Sequence, residues 1–154
     1  MKLFAGTESS WSLRVLLCME IAGIPPDLHI FDLSHPQSRR ELKRLSPTGR
    51  VPVLSDGDLI IYDSLSITEY VNEIKPGLLY SAEAALRAEE RSLCAELHSG
   101  FAEIRRQMPF MASGKTVPGA LSAEADADIE RIGIIFAAAR GEFFRGETPG
   151  AVDA

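Results

Sequence analysis

The sequence predicts an α/β unit over residues 1–78, of order β-α-β-α-β-β-α, followed by an all-helical part over residues 83–154. Three observations carry this. Short apolar runs alternate with amphipathic stretches as far as Pro76-Gly77. No convincing strand pattern follows residue 80. Beyond that point the apolar residues recur at intervals of three, four or seven, the period of a helix face.

Lys2 to Phe4 reads as a strand closed by Ala5-Gly6. From Trp11 to Ala22, the residues Leu13, Leu16, Leu17, Met19 and Ile21 fit a buried helix, which Gly23 caps and Pro25-Pro26 cannot continue. Leu28 to Phe31 is a second strand, and Pro36 suits the first position of a helix reaching about Leu45. Ser46 to Gly49 is a loop. Val51-Pro52-Val53-Leu54 leads into a strand, Asp56-Gly57-Asp58 turns, and Leu59 to Tyr62 returns as a hairpin. Ser64 can cap the next helix, which carries Ile67, Tyr70, Val71 and Ile74 and stops at Pro76-Gly77.

Ala84 to about Met108 reads as one long amphipathic helix, with Leu86, Leu93, Leu97, Phe101, Ile104 and Met108 on its apolar side. Pro109 to Gly119 is a loop. Ser122 caps a final helix whose first turn holds Glu124 and Asp126, matching the positive end of its dipole. That helix carries Ile129, Ile132, Ile135 and Phe136 and fades near Gly141; Gly146 to Ala154 reads as a frayed end.

Composition removes several functions. A net charge of −6 and a pI near 5.1 oppose a nucleic-acid partner, which needs a Lys/Arg face against phosphate. Met1 to Ala5 reaches Gly6 and Glu8 too soon for the apolar region of a signal peptide, and no apolar stretch approaches the roughly 20 residues of a membrane span. A cytoplasmic protein without membrane partner is expected. Cys18 and Cys94 lie in helical patterns without metal-ligand spacing, so buried reduced thiols and no metal are expected.

Pro52 is the most informative single residue. It opens a strand, where a missing N–H is tolerated only at an edge or at the strand's first position. A cis bond after Val51 would turn the Val51 backbone outward to offer N–H and C=O to an extended ligand; a trans proline at the strand's first residue is the alternative. The run Ser46-Pro47-Thr48-Gly49-Arg50-Val51-Pro52-Val53-Leu54, followed by Asp63-Ser64-Leu65-Ser66-Ile67-Thr68-Glu69-Tyr70, resembles the glutathione-site signature of the glutathione transferase family. Ser9-Ser10-Trp11-Ser12-Leu13-Arg14-Val15 is similar to the serine-type, zeta/theta-like pattern at the first helix of bacterial members.

That resemblance implies a thioredoxin-like N-terminal domain and a shortened, truncated helical domain, because the family carries more helices than the two read after residue 80. The family's buried capping motif, (S/T)-x-A-D at a core helix start after the last segment read here, is expected to be absent. The resemblance also implies roles. Val51, held by Pro52, pairs its backbone with the cysteinyl backbone of glutathione. Asp63 takes the γ-glutamyl ammonium, Ser64 and the helix start take its carboxylate, and Arg50 and Gln37 fall where relatives bind the glycyl carboxylate. Ser9 or Ser10 donates to the thiol, whose free pKa near roughly 8.5 leaves little thiolate at neutral pH. His98 and Arg105 are candidates for lining an electrophile pocket. The implied activity is glutathione conjugation of a small electrophile, or glutathione-dependent isomerisation, by a homodimer. A glutathione-transferase-like binding or interaction protein with little or no turnover is the alternative. No cysteine stands at Ser9 or Ser12, which argues against thiol–disulfide exchange.

Overall fold

Lys2–Gly6 forms strand β1, Ser10–Ile21 helix α1, Asp27–Phe31 strand β2 and Pro36–Leu45 helix α2 in a computed structural model. Val53–Asp56 (β3), Leu59–Ile61 (β4) and Ser64–Ile74 (α3) complete the order β-α-β-α-β-β-α. The structure describes residues 1–112, 114 and 119–154. Part of the loop expected from Pro109 to Gly119 therefore lies outside the described residues. These divide into two units, Met1–Leu79 with Ala154, and Tyr80–Asp153.

The first unit is built on a four-stranded sheet of order β2-β1-β3-β4. β1 and β2 are parallel, as the α1 crossover requires, and β3 runs antiparallel to β1 and β4. This is a thioredoxin-like arrangement. Leu3 pairs with Leu54 and Phe4 with Val53, so β1 and β3 occupy the centre. Leu3, Val53 and Leu54 pack with Val15 and Met19 of α1, its C-cap Ala22, and Ile67 and Val71 of α3 as a buried core. β2 is a sheet edge whose Leu28 and Ile30 remain exposed. α2 buries Leu42 alone. Gly57 supplies the left-handed φ of +59° at the tip of the β3–β4 hairpin.

The second unit is helical: α4 (Ala84–Ser99), α5 (Ala102–Gln107) and α6 (Ala123–Ala137). The single helix expected from Ala84 to about Met108 is broken. Gly100 is extended and Phe101 takes a left-handed φ of +61°, and α5 restarts after it. Arg105 bridges the break by donating to the Leu97 carbonyl at 2.8 Å. Ser122 caps α6 as expected, accepting the Ala125 N–H. Gln107 bonds the N–H and hydroxyl of Ser122, and Asp128 accepts the Ile104 N–H, which fixes α5 on α6. Arg131 clamps Glu96 with two bonds, and Arg140 pairs with Glu89, tying α6 and its C-terminal extension to α4.

The C-terminal segment is packed where a frayed end was expected. Phe144 and Ala151 are buried. The Asp153 carboxylate accepts the N–H groups of Phe144 and Gly150, each at 2.8 Å. Asp153 thus closes the turn Gly150-Ala151-Val152-Asp153 back onto Phe144. Among the described residues, no helix is long and apolar enough to cross a membrane.

Candidate functional site

Three segments of the first unit carry the candidate residues: the β1–α1 loop, the loop entering β3 and the start of α3. Glu8, at φ +55°, turns the chain so that Ser9 becomes the N-cap of α1 and Ser10 its first residue. A relay of hydrogen bonds then fixes Ser9. The Gly6 N–H donates to Ser12 Oγ at 3.1 Å, and the Ser12 hydroxyl donates to Ser9 Oγ at 3.0 Å. The Ser12 N–H also donates to Ser9 Oγ, at 3.2 Å. A hydroxyl has two acceptor positions and one hydrogen. Both acceptor positions of Ser9 are filled, and its hydrogen is left to donate at the positive end of α1. Ser10 makes no hydrogen bond of this kind among the described residues.

Gly6 joins this loop to the next. A Cβ added there would stand 2.8 Å from Val51 Cγ2 and 2.7 Å from Leu33 Cδ1, so only glycine lets the Val51 side chain approach. The Val51–Pro52 bond is cis, the first of the two alternatives left open by the sequence. The β1–β3 ladder begins at Val53, which leaves the Val51 backbone outside the sheet. The preceding loop is stiffened by Ser46, which is buried and meets the Thr48 hydroxyl at 2.9 Å, and by Gly49 at φ +61°. Arg50 is exposed and donates its N–H to Thr48 Oγ1. Gln37 lies on the exposed side of α2, where its side-chain amide donates to Glu41 at 2.9 Å.

At α3 the cap is Asp63, and Ser64 falls one position inside the helix rather than capping it. The Asp63 carboxylate accepts the Leu65 N–H at 2.9 Å, and the Tyr62–Asp63 bond is cis. Ser64 is 2% exposed, and its hydroxyl has no hydrogen-bond partner among the described residues. One turn on, the Thr68 hydroxyl donates to the Ser64 carbonyl at 3.0 Å and lies 3.6 Å from Cys18 Sγ. Burial pushes the Cys18 thiol up, outweighing the Thr68 hydrogen bond and the Arg14 charge that favour its anion. A thiol so placed is an inert core group.

The structure therefore brings Ser9, Gly6 and Val51 into one contact chain and sets Asp63 and Ser64 at a helix start. It leaves Gln37 bonded elsewhere. His98, in the last turn of α4, and Arg105 belong to the second unit. Sequence reading missed Ser12 and Gly6. The signal for Ser12 was the Ser-x-x-Ser spacing across a helix start, which places two hydroxyls one turn apart.

The family described as "Glutathione S-transferase, N-terminal domain" matches residues 8–74. A stringent starvation protein A homolog of Coxiella burnetii is 33% identical over 76 residues, 49% of this chain and 35% of that protein. Glutathione S-transferase Z2 of Arabidopsis thaliana is 32% identical over 77 residues, 49% of this chain and 34% of that protein. Each match thus spans about a third of the curated relative's length. A holo structure of maleyl pyruvate isomerase, described as a bacterial zeta-class glutathione S-transferase, superposes with a TM-score of 0.76 over 99% of this chain and 77% of that one. At 23% identity this likeness speaks for the fold.

Proposed function

We propose that the chain, which is similar at residues 8–74 to the glutathione S-transferase N-terminal domain, is a member of that family that binds glutathione and stabilises its thiolate. The thiolate then attacks a small electrophile, or adds reversibly to one in a glutathione-dependent isomerisation. The observation that carries this reading is the Ser9 hydroxyl, whose acceptor positions are both occupied and whose hydrogen is left for a ligand. A donor at a helix N-terminus favours an anion through the hydrogen bond and the dipole together, so no separate base is needed. Ser10, with no such constraint on its hydroxyl, is the secondary candidate.

The remaining roles follow from the shape of the ligand. The Val51 backbone, freed from the ladder next to Pro52, pairs with the cysteinyl backbone of glutathione in a strand-like manner. Asp63 takes the γ-glutamyl ammonium, and Ser64 with the N-terminus of α3 takes its carboxylate. Arg50 meets the glycyl carboxylate; Gln37 reaches it only by leaving Glu41. The protein works in the cytoplasm as a homodimer.

A second reading, binding without turnover, is favoured by one observation: a relative at 33% identity bears a name that carries no transferase or isomerase activity. Glutathione affinity, the ultraviolet absorbance of the bound thiolate and a conjugation assay on wild type, Ser9→Ala and Ser10→Ala separate the two. We expect Ser9→Ala to lose roughly a hundredfold in kcat/KM, the scale of removing one donor from a developing anion, and Ser10→Ala to lose much less. Binding without turnover would select the second reading, and absence of binding would overturn both.

A further inference from the structure

Of the three serines at the start of α1, Ser12 alone is buried, at 3% exposure, while Ser9 and Ser10 are half-buried. Ser12 Oγ and Ser9 Oγ stand 3.0 Å apart, and each hydroxyl has one hydrogen and two acceptor positions. By chemistry alone either can donate to the other. Their surroundings decide the direction. The Gly6 N–H fills one acceptor position of Ser12 at 3.1 Å. Were Ser9 to donate, the other position would fill as well, and the Ser12 hydrogen would need a different acceptor. Among the described residues Ser9 Oγ is the acceptor it has. Stranding a buried hydroxyl hydrogen is costly, whereas the hydrogen of half-buried Ser9 can meet solvent or a ligand.

The bonds therefore run one way, from the Gly6 N–H to Ser12 and from Ser12 to Ser9. The two bonds that Ser9 accepts differ in kind. One comes from the Ser12 backbone N–H at 3.2 Å, belongs to the cap of α1 and does not depend on the side chain at position 12. The other comes from the Ser12 hydroxyl and vanishes with it. Without that hydroxyl, one acceptor position of Ser9 is vacant. A hydroxyl that receives a hydrogen bond also donates a stronger one, because each bond in a chain polarises the next.

Resting on the glutathione reading above, we infer that Ser12 is a positioning residue that selects the protonation state in which the glutathione sulfur is held. With Ser12 in place, Ser9 has a hydrogen for a sulfur anion and no acceptor position for an S–H group. Once the Ser12 hydroxyl is removed, Ser9 can receive the S–H of neutral glutathione as readily as it donates to the thiolate. Occupied acceptor positions and a polarised O–H thus both favour thiolate over thiol, the released proton passing to solvent. Ser12 acts through Ser9 and leaves the peptide arms of the ligand to other residues.

The test follows the ultraviolet absorbance of bound thiolate against pH in the full chain, for wild type, Ser12→Ala and Ser12→Thr. In Ser12→Ala the ratio of thiolate to thiol in the complex is expected to fall about tenfold at neutral pH, the scale of one hydrogen bond. Its ionisation curve moves to higher pH by the same factor, so the thiolate signal returns in alkali. Ser12→Thr, which keeps the hydroxyl, restores the wild-type curve. S-methylglutathione has no thiol proton, and calorimetry is expected to show it bound equally by wild type and Ser12→Ala. An unmoved ionisation curve in Ser12→Ala would overturn the inference. So would an S-methylglutathione affinity lost as far as the thiolate signal, which would give Ser12 a structural role. If Ser12→Ala does not fold by circular dichroism, Ser12→Cys replaces it; its weak S–H donor should give a curve shifted in the same direction, and a wild-type curve there refutes the inference. Failure of wild type to bind glutathione at any pH would refute the glutathione reading itself, and this inference with it.

Discussion

Gly6 shows how much of the candidate site hangs on one missing methyl group. Its N–H starts the relay through Ser12 to Ser9, and its empty side admits Val51 and Leu33. Adding a Cβ at 2.7–2.8 Å from both side chains forces them apart. Gly6→Ala is therefore expected to destabilise the protein by about 1–3 kcal/mol, the usual cost of overpacking. It should also weaken glutathione binding by moving Val51. Thermal denaturation and calorimetry read the two effects separately, and a variant of unaltered affinity would detach Gly6 from the site. At this scale the sequence was a partial guide. Pro52 and Ser9 stood out because proline at a strand start and serine before a helix are exceptions to local rules. Ser12 did not, because a serine inside a helix breaks no rule until its burial is known.

Between elements, the Glu96–Arg131 pair is the clearest tie of α6 to α4. The Arg131 hydrogen bonds hold the Glu96 carboxyl below its ordinary value of 4.5. A depressed carboxylate contributes stability that is present above the unfolded value and lost as pH falls through the folded one. Glu96→Gln should thus lower stability at neutral pH by about 0.2–1 kcal/mol, the range of an exposed pair, read as a lower melting temperature. Below the carboxylate range the two proteins should melt together. A difference that persisted in acid would mean that packing, not charge, carries the tie. Element boundaries were the least legible feature of the sequence. Periodicity runs unbroken from Leu86 to Met108, yet Gly100-Phe101 interrupts the helix. The apolar spacing survives because α5 restarts after only two residues. Asp63 and Ser64 are both good caps by type, and only the backbone shows that Asp63 is the cap.

For the whole molecule, order and class of the elements were readable because the first unit alternates two distinct periods and the second keeps one. The tail was misread for a physical reason: Phe144 and Ala151 are buried by a turn that Asp153 closes, and a lone aspartate near a chain end has no periodicity to betray it. Surface chemistry follows from the same map. Ile134 and Phe136 of α6 are exposed, Phe136 by 68%. With a net charge of −6 and a pI near 5.1, solubility should be lowest near that pH, where repulsion no longer separates such surfaces. Phe136→Lys is expected to raise solubility there while shifting stability by no more than about 0.5 kcal/mol, as for a surface change. Light scattering across pH, with denaturant unfolding as control, checks both; a large stability loss would show that Phe136 has a buried role.

The Ser9 hydroxyl described above has one further consequence, in the proton balance between protein and buffer. Under the proposed function, a site that can only donate takes up glutathione by preference as the anion, so binding near neutrality should expel the thiol proton into solution. Apparent affinity should then climb with pH and level off once the free thiol ionises by itself, near roughly 8.5. Calorimetry in two buffers of different ionisation enthalpy would give unequal binding heats for wild type and nearly equal ones for Ser9→Ala.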